Sequence, residues 1–194
     1  YNKDFKEALK TRNEIFEFIR KENPDVLCLQ EYYEQKNPTR FNTLDSIKSI
    51  MGSDLYHEKG IHLKKSKQTF GVSIFSKYQI INQGDVVHQD VDKNNKNYCI
   101  YVDLVKESDT IRFYNVHLQS IKLEAKDYTN PSKQKNKDQA RDGYSRGFQK
   151  IKTAFSIRAK QSEAVSKHIK TSPYPVIVSG DFNDTPMSYT YHKF

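Results

Sequence analysis

Three short stretches of the 194-residue sequence bring metal- or proton-competent side chains to the ends of apolar runs: Leu29-Gln30-Glu31, Asn115-Val116-His117-Leu118 and Ser179-Gly180-Asp181-Phe182-Asn183-Asp184. Strand ends are where an α/β scaffold can gather a site, since rigid neighbours hold each polar side chain in place. Glu31 follows Val26-Leu27-Cys28-Leu29 and so emerges at an edge. A single Glu placed so can bind Mg²⁺, which keeps several waters and completes its octahedron with substrate phosphate oxygens. The plainer alternative is a carboxylate that marks the end of a strand. From Arg112 to Gln119 the period of two puts Phe113, Asn115, His117 and Gln119 on one face and Tyr114, Val116 and Leu118 on the other. His117 could contact a phosphate oxygen or supply the proton that an alkoxide leaving group requires, with Asn115 helping to position the substrate. A half-buried, hydrogen-bonded histidine would look the same in the sequence.

In the third stretch, Gly180 lets the chain turn out of the strand Val176–Ser179. Asp181 and Asn183, two apart in an extended segment, can then point to the same side. Asp181 could orient and deprotonate an attacking water. Asn183 could hold the nucleophile or a phosphate oxygen through its amide without adding negative charge. The same residue types also suit an Asp/Asn-rich turn that bonds its own backbone.

Helices and strands must carry these groups. From Asp4 to Glu22, Phe5, Leu9, Ile15, Phe16 and Ile19 recur at helical spacing, and Asn23-Pro24 ends the helix. Asp25–Gln30 reads as a strand covered on both sides. A second helix is predicted over Phe41–Met51, with Gly52 as its stop. Strands follow over Tyr56–Leu63, Thr69–Ser76, Tyr98–Val105 and Thr110–Leu118, as hairpin-connected neighbours. Lys122–Lys150 is polar and reads as a mobile basic insertion. A helix from about Lys150 to Ile169 should turn Ile151, Phe155, Ala159 and Val165 towards the core, before the apolar strand Val176-Ile177-Val178.

With 36% hydrophobic and 29% charged residues, the chain builds one globular domain over 1–194. No apolar run approaches membrane-spanning length, which predicts a soluble domain, cytoplasmic or attached through a segment upstream of Tyr1. Cys28 and Cys99 each sit in an apolar run as small hydrophobes, with no need of a disulfide and no zinc-ligand spacing around them. The net charge of +8 is local: residues 119–170 hold 13 Lys/Arg and 5 Asp/Glu, and the rest of the chain holds 19 of each. Such a block steers polyanions towards a nearby site.

Leu-Gln-Glu at 29–31, Gly-Val-Ser-Ile-Phe-Ser at 71–76, Asn-Val-His-Leu at 115–118 and Gly-Asp-Phe-Asn-Asp-Thr-Pro at 180–186 stand in an order that resembles the endonuclease/exonuclease/phosphatase family. The resemblance implies a four-layer α/β sandwich of the deoxyribonuclease I type, two mostly antiparallel sheets face to face with helices outside. It implies Mg²⁺, with Mn²⁺ as a substitute, bound at Glu31. His117 would stand beside the scissile phosphate, Asp181 would be the catalytic aspartate and Asn183 the phosphate-orienting asparagine. Arg158 and Gln161 resemble a structural Arg-x-x-Gln pair. The reaction would be in-line attack of water on a phosphorus ester. Members usually open with an asparagine-bearing strand and close with an Asp-His pair. Neither is found here, which implies a domain incomplete at both ends, with little turnover of its own and an exposed sheet edge. Nucleic acid is the expected substrate. The alternatives are a phosphomonoesterase or lipid phosphoesterase acting on a small phosphoester or anionic lipid, and a catalytically silent nucleic-acid-binding domain. No obligate protein partner is evident.

Overall fold

Alternating side chains on each strand go to different layers, and this alternation builds the architecture. The computed structural model describes residues 5–35, 42–63, 67–86, 99–124, 127 and 137–194. Helix α1 (Phe5–Glu22), strand β1 (Val26–Gln35) and helix α2 (Thr43–Met51) come first. They are followed by β2 (Tyr56–Leu63), β3 (Gln68–Ser76), β4 (Gln79–Asp85), β5 (Cys99–Lys106), β6 (Asp109–His117), α3 (Lys137–Ile169) and β7 (Val176–Asp181). One sheet has the order β1-β3-β2 and is antiparallel; the other has the order β4-β5-β6-β7 and is antiparallel except for the parallel β6–β7 pair.

The inward residues of both sheets share one core: Val72 and Ile74 of β3 pack with Ile100, Val102 and Leu104 of β5, and Val26, Cys28 and Phe113 pack against them. The outward residues Leu27, Leu29 and Phe75 meet Phe16 and Ile19 of α1 and Ile47 and Met51 of α2. Behind the second sheet, Tyr114, Val116 and Leu118 lie under Val165 of α3. The layers therefore run helix, sheet, sheet, helix, which is the expected four-layer sandwich. Each such buried Val, Leu or Ile stabilises the fold by roughly 2 kcal/mol. Among the described residues no helix is long and apolar enough to cross a membrane. Both cysteines are free thiols, and burial pushes each thiol up.

Several elements differ from the sequence expectation. β1 does not end at Gln30 but continues to Gln35. Its second half serves α2: the Leu44 N–H donates to Glu34 Oε2 at 2.8 Å, in place of a cap from Asn42. β4 was not expected, because an edge strand facing solvent over most of its length has no apolar pattern to reveal it. The four expected mid-chain strands do not form one run, since β2–β3 and β5–β6 are hairpins of different sheets. α3 starts at Lys137 rather than near Lys150, so residues 137–150 of the expected insertion are helical. The expectations at Asp4, Phe41 and Tyr98, and for 125–126 and 128–136, lie outside the described residues. On α3 it is Ala154, Arg158, Gln161 and Val165 that face the core, while Phe155 is exposed. Three polar residues of α3, Arg158, Gln161 and Ser162, occupy buried positions, which displaces the apolar periodicity from the true inner face.

Arg112 and Asp103 face each other across β5 and β6 and pair through two bonds of 2.6 and 2.8 Å, with Asn82 of β4 adding a third to Asp103 at 2.9 Å. Burial by itself would raise the Asp103 carboxyl, but the bonds from Arg112 and Asn82 outweigh it and hold the group below the usual carboxylate range. The stabilisation from this pair is then complete above about pH 4 and is lost as pH falls through the lower folded value. Asp103→Asn leaves Arg112 buried without its counter-charge and should lower the unfolding free energy by roughly 3 kcal/mol in urea titrations at neutral pH. The deficit should shrink when the two proteins are compared at pH values falling below the usual carboxylate range, as the wild-type carboxylate is itself protonated.

Candidate active site at the strand ends

The parallel pairing of β6 and β7 sets His117 opposite Asp181 and Asn115 opposite Ser179. The strands come so close at Gly180 that a Cβ there would lie 2.0 Å from the Val116 carbonyl oxygen, and its φ of +146° excludes most side chains. Gly180 thus permits a close approach, whereas the sequence suggested a point where the chain leaves the strand. β7 in fact runs on through Asp181.

Beyond Asp181 the chain turns at once. The Asn183 N–H donates to Asp181 Oδ1 at 2.8 Å, and Asn183 has a φ of +50°, which asparagine tolerates better than most residues. The segment is therefore a turn closed by Asp181, and the extended geometry expected for 181–183 is corrected. The Asn183 amide donates to the Leu118 carbonyl at 3.0 Å, and the Leu118 N–H donates to the Asp181 carbonyl at 3.0 Å. His117, Asp181 and Asn183 are consequently parts of one hydrogen-bonded unit.

α3 grips this unit from behind. The Arg158 guanidinium donates to the Gln119 carbonyl at 2.9 Å and to Asp184 at 3.1 Å, and Gln161 accepts the Gln119 N–H at 2.9 Å. Arg158 is 1% exposed and Gln161 is fully buried, so both act as the structural pair that the sequence suggested.

Glu31 arrives from the other sheet. The β1–β3 pairing slips between Leu29↔Ser73 and Tyr32↔Gly71, so Gln30 and Glu31 together stand against Val72 in a β-bulge. Glu31 takes a φ of +52°, a left-handed conformation more usual for glycine. The bulge turns Glu31 to solvent while Tyr32 beside it is buried. It is fastened to β6 by Asn115, whose amide donates to the Leu29 and Ser73 carbonyls at 2.9 Å each and whose Oδ1 accepts Gln30 Nε2 at 2.6 Å. One residue further back, the Cys28 thiol meets the Ser179 hydroxyl. These contacts bring the Glu31 end of β1 to the ends of β6 and β7 that carry His117 and Asp181.

Four of the five candidate residues, Glu31, His117, Asp181 and Asn183, therefore share one end of the sandwich. Asn115 does not. It is 0% exposed with its amide committed to protein groups, so it cannot touch a substrate and acts as a positioning residue. Gln30 is the residue that sequence reasoning passed over. The signal was available as a polar side chain inside the apolar run of β1. Among the described residues no three His, Cys, Asp or Glu side chains cluster as metal ligands. That does not fit a closed zinc site. An exposed Glu31 fits Mg²⁺, which binds through one or two carboxylates and takes its other oxygens from water and phosphate.

The model of the family described as Endonuclease/Exonuclease/phosphatase matches residues 2–194. No protein of curated function matches the sequence. Among solved structures, the chain is similar to an endonuclease/exonuclease/phosphatase family protein from Leptotrichia buccalis, at 14% identity and a TM-score of 0.56 over 95% of this chain and 65% of that one. It is similar to humanized D. rerio TDP2, at 16% identity and a TM-score of 0.56 over 90% of this chain and 58% of that one. SmcL gives 15% identity and a TM-score of 0.57 over 93% of this chain and 59% of that one. At such identities the likeness concerns the fold, and the chain spans less than two thirds of each of these proteins.

Two substitutions separate positioning from strain. Asn115→Ala strands the Leu29 and Ser73 carbonyls and the Gln30 amide, and should lower stability in urea by about 3 kcal/mol. Glu31→Gly relieves a left-handed non-glycine residue, and should leave the melting temperature unchanged or raise stability by up to about 1 kcal/mol.

Proposed function

The chain belongs to the endonuclease/exonuclease/phosphatase family, and from that premise we propose that the protein is a Mg²⁺-dependent hydrolase of phosphodiester bonds whose substrate is nucleic acid. Family members are generally hydrolytic phosphoesterases that depend on a divalent metal. The observation that carries the reading is the cross-strand pairing of His117 with Asp181, with the Asn183 turn and the Glu31 bulge fastened to the same end.

In this proposal Asp181 is the base. Its Oδ1 is held by the Asn183 N–H, so Oδ2 is left to take a proton from the attacking water. Water attacks phosphorus as the bond to the leaving oxygen breaks, and His117 delivers the proton which that oxygen needs. Asn183 has two amide hydrogens and spends one on the Leu118 carbonyl, which leaves one for a non-bridging phosphate oxygen. Glu31 would hold Mg²⁺, whose charge stabilises the phosphoryl and leaving oxygens when it is bound. The charge excess of residues 119–170, 13 basic against 5 acidic, favours a polyanionic substrate over a small neutral one.

The test is Mg²⁺-dependent nicking of supercoiled plasmid. Asp181→Asn keeps an acceptor for the Asn183 N–H and removes the base, so nicking should fall by at least about a hundredfold with the melting curve unchanged; His117→Ala should behave alike. Wild-type rates in Asp181→Asn would sink the proposed mechanism. A folded, Mg²⁺-binding protein that leaves plasmid intact but cleaves a phosphomonoester or a phospholipid would overturn the choice of nucleic acid.

A further inference from the structure

α3 is longer than the sheet it covers. His168 accepts or donates at 2.7 Å to the Tyr114 hydroxyl in the middle of β6, while Arg158 and Gln161 bond Gln119 just beyond its carboxyl end. Moving backwards along α3 therefore moves forwards along β6. Everything before Arg158 extends past the strand ends that carry His117 and Asp181. From Arg158 to Tyr144 this overhang is roughly 20 Å long at 1.5 Å per residue. It is braced on one side, where Lys150 bonds Asp127 at 2.6 Å and the Lys122 carbonyl at 3.2 Å and Gly147 lies against the Asp127 backbone.

Another side of the overhang carries aromatic rings in the open. Tyr144, Phe148 and Phe155 are 53%, 64% and 46% exposed. With the half-buried Ile151 they follow steps of four, three and four residues, and so form a single stripe. Exposed Gln149, Lys152 and Ser156 border it, which keeps the stripe about one ring wide. Within its own span, Tyr144–Phe155, the charged residues are Arg146, Lys150 and Lys152 and none is acidic, with Lys150 bonded to Asp127 and Lys152 exposed beside the stripe. At the inner end of the stripe the Arg158 guanidinium lies 4.5 Å over the Phe155 ring, and the same guanidinium holds the two loops of the catalytic unit.

We propose that this overhanging part of α3 is a binding arm for single-stranded nucleic acid, stacking unpaired bases on Tyr144, Phe148 and Phe155 and leading the strand to the site at Glu31, His117, Asp181 and Asn183. Aromatic rings one and two helical turns apart, roughly 6 and 10 Å, leave room for one base each. A ring accepts any base, and basic neighbours track the backbone. A membrane-inserting helix would need a broad apolar sector, which the polar residues bordering the stripe deny. The direction of the strand rests on the phosphodiesterase reading above, but binding to the arm does not.

The experiment measures fluorescence anisotropy of labelled oligo(dT), about 15 nucleotides long, with the full polypeptide in EDTA so that no cleavage intervenes. Tyr144→Ala/Phe148→Ala, which alters only exposed side chains, should bind at least about tenfold more weakly. Phe148→Tyr should bind like the wild type, and the affinity for a duplex of the same length should change less than twofold. Hydrolysis of bis(p-nitrophenyl) phosphate, too small to reach the arm, should survive in the double variant and vanish in Asp181→Asn, which separates failure of the arm from failure of the catalytic reading. Equal oligo(dT) affinity in wild type and double variant would overturn the arm. So would binding to phosphatidylserine vesicles that needs Tyr144 and Phe148 while oligo(dT) binding does not.

Discussion

A single buried amide sets the position of one sheet against the other. Asn115 projects from β6 into the space between the sheets, where it bonds the backbone of β1 and of β3 and the Gln30 side chain. Apolar side chains in the same layer could slide past each other with little change in energy, because hydrophobic burial has no direction. A fully buried amide cannot slide. Any shift strands three polar groups away from water, and the penalty for each is larger than the gain from a new apolar contact. Glu31 lies two residues from Leu29 and His117 two residues from Asn115, so the same bonds that align the sheets set the separation of those candidate groups.

The second constraint acts from outside. Arg158, Gln161, Gln119 and Asp184 join α3 to the loops that follow β6 and β7. A buried ion pair such as Arg158–Asp184 is weak evidence for net stability, because desolvation offsets much of the attraction. Its value here is geometric. It holds the Asp181–Asn183 turn and the end of β6 on one helix, so the candidate groups keep one arrangement. Arg112–Asp103 plays the corresponding part at the opposite end of β6, beside His168. The strand between these two clamps is the support that carries His117.

Of the five described non-glycine residues with positive φ, Asn23, Glu31, Lys67, Glu107 and Asn183, two belong to the candidate site. Glu31 and Asn183 both hold left-handed backbone conformations, and Gly180 sits where no side chain fits. A bulge and a tight turn are unfavourable in isolation, and they persist because well-packed strands over-determine them. What they provide is exposure. In a regular ladder the period of two would continue through the bulge, and the side chain after Gln30 would not be turned to solvent while its neighbour is buried.

Candidate site residues could be picked out in the sequence wherever a residue type has few other uses. The Asp-Phe-Asn-Asp cluster after an apolar strand, the glutamate after Val-Leu-Cys-Leu, and the alternation around His117 pointed to Glu31, His117, Asp181 and Asn183, and the apolar periods of β1, β2, β3, β5 and β6 pointed to a layered α/β fold. Solvent-facing β4 was not legible, nor was the polar start of α3, since neither buries enough apolar surface to leave a pattern. Tertiary structure alone decided the roles of Asn115 and Gly180 and the exposure of Phe155. A sequence records which groups a residue can bond, but whether an asparagine meets substrate or the backbone of another sheet depends on which distant strand comes to lie over it. That is fixed by long-range packing, and Asn115 and Leu29 are 86 residues apart along the chain.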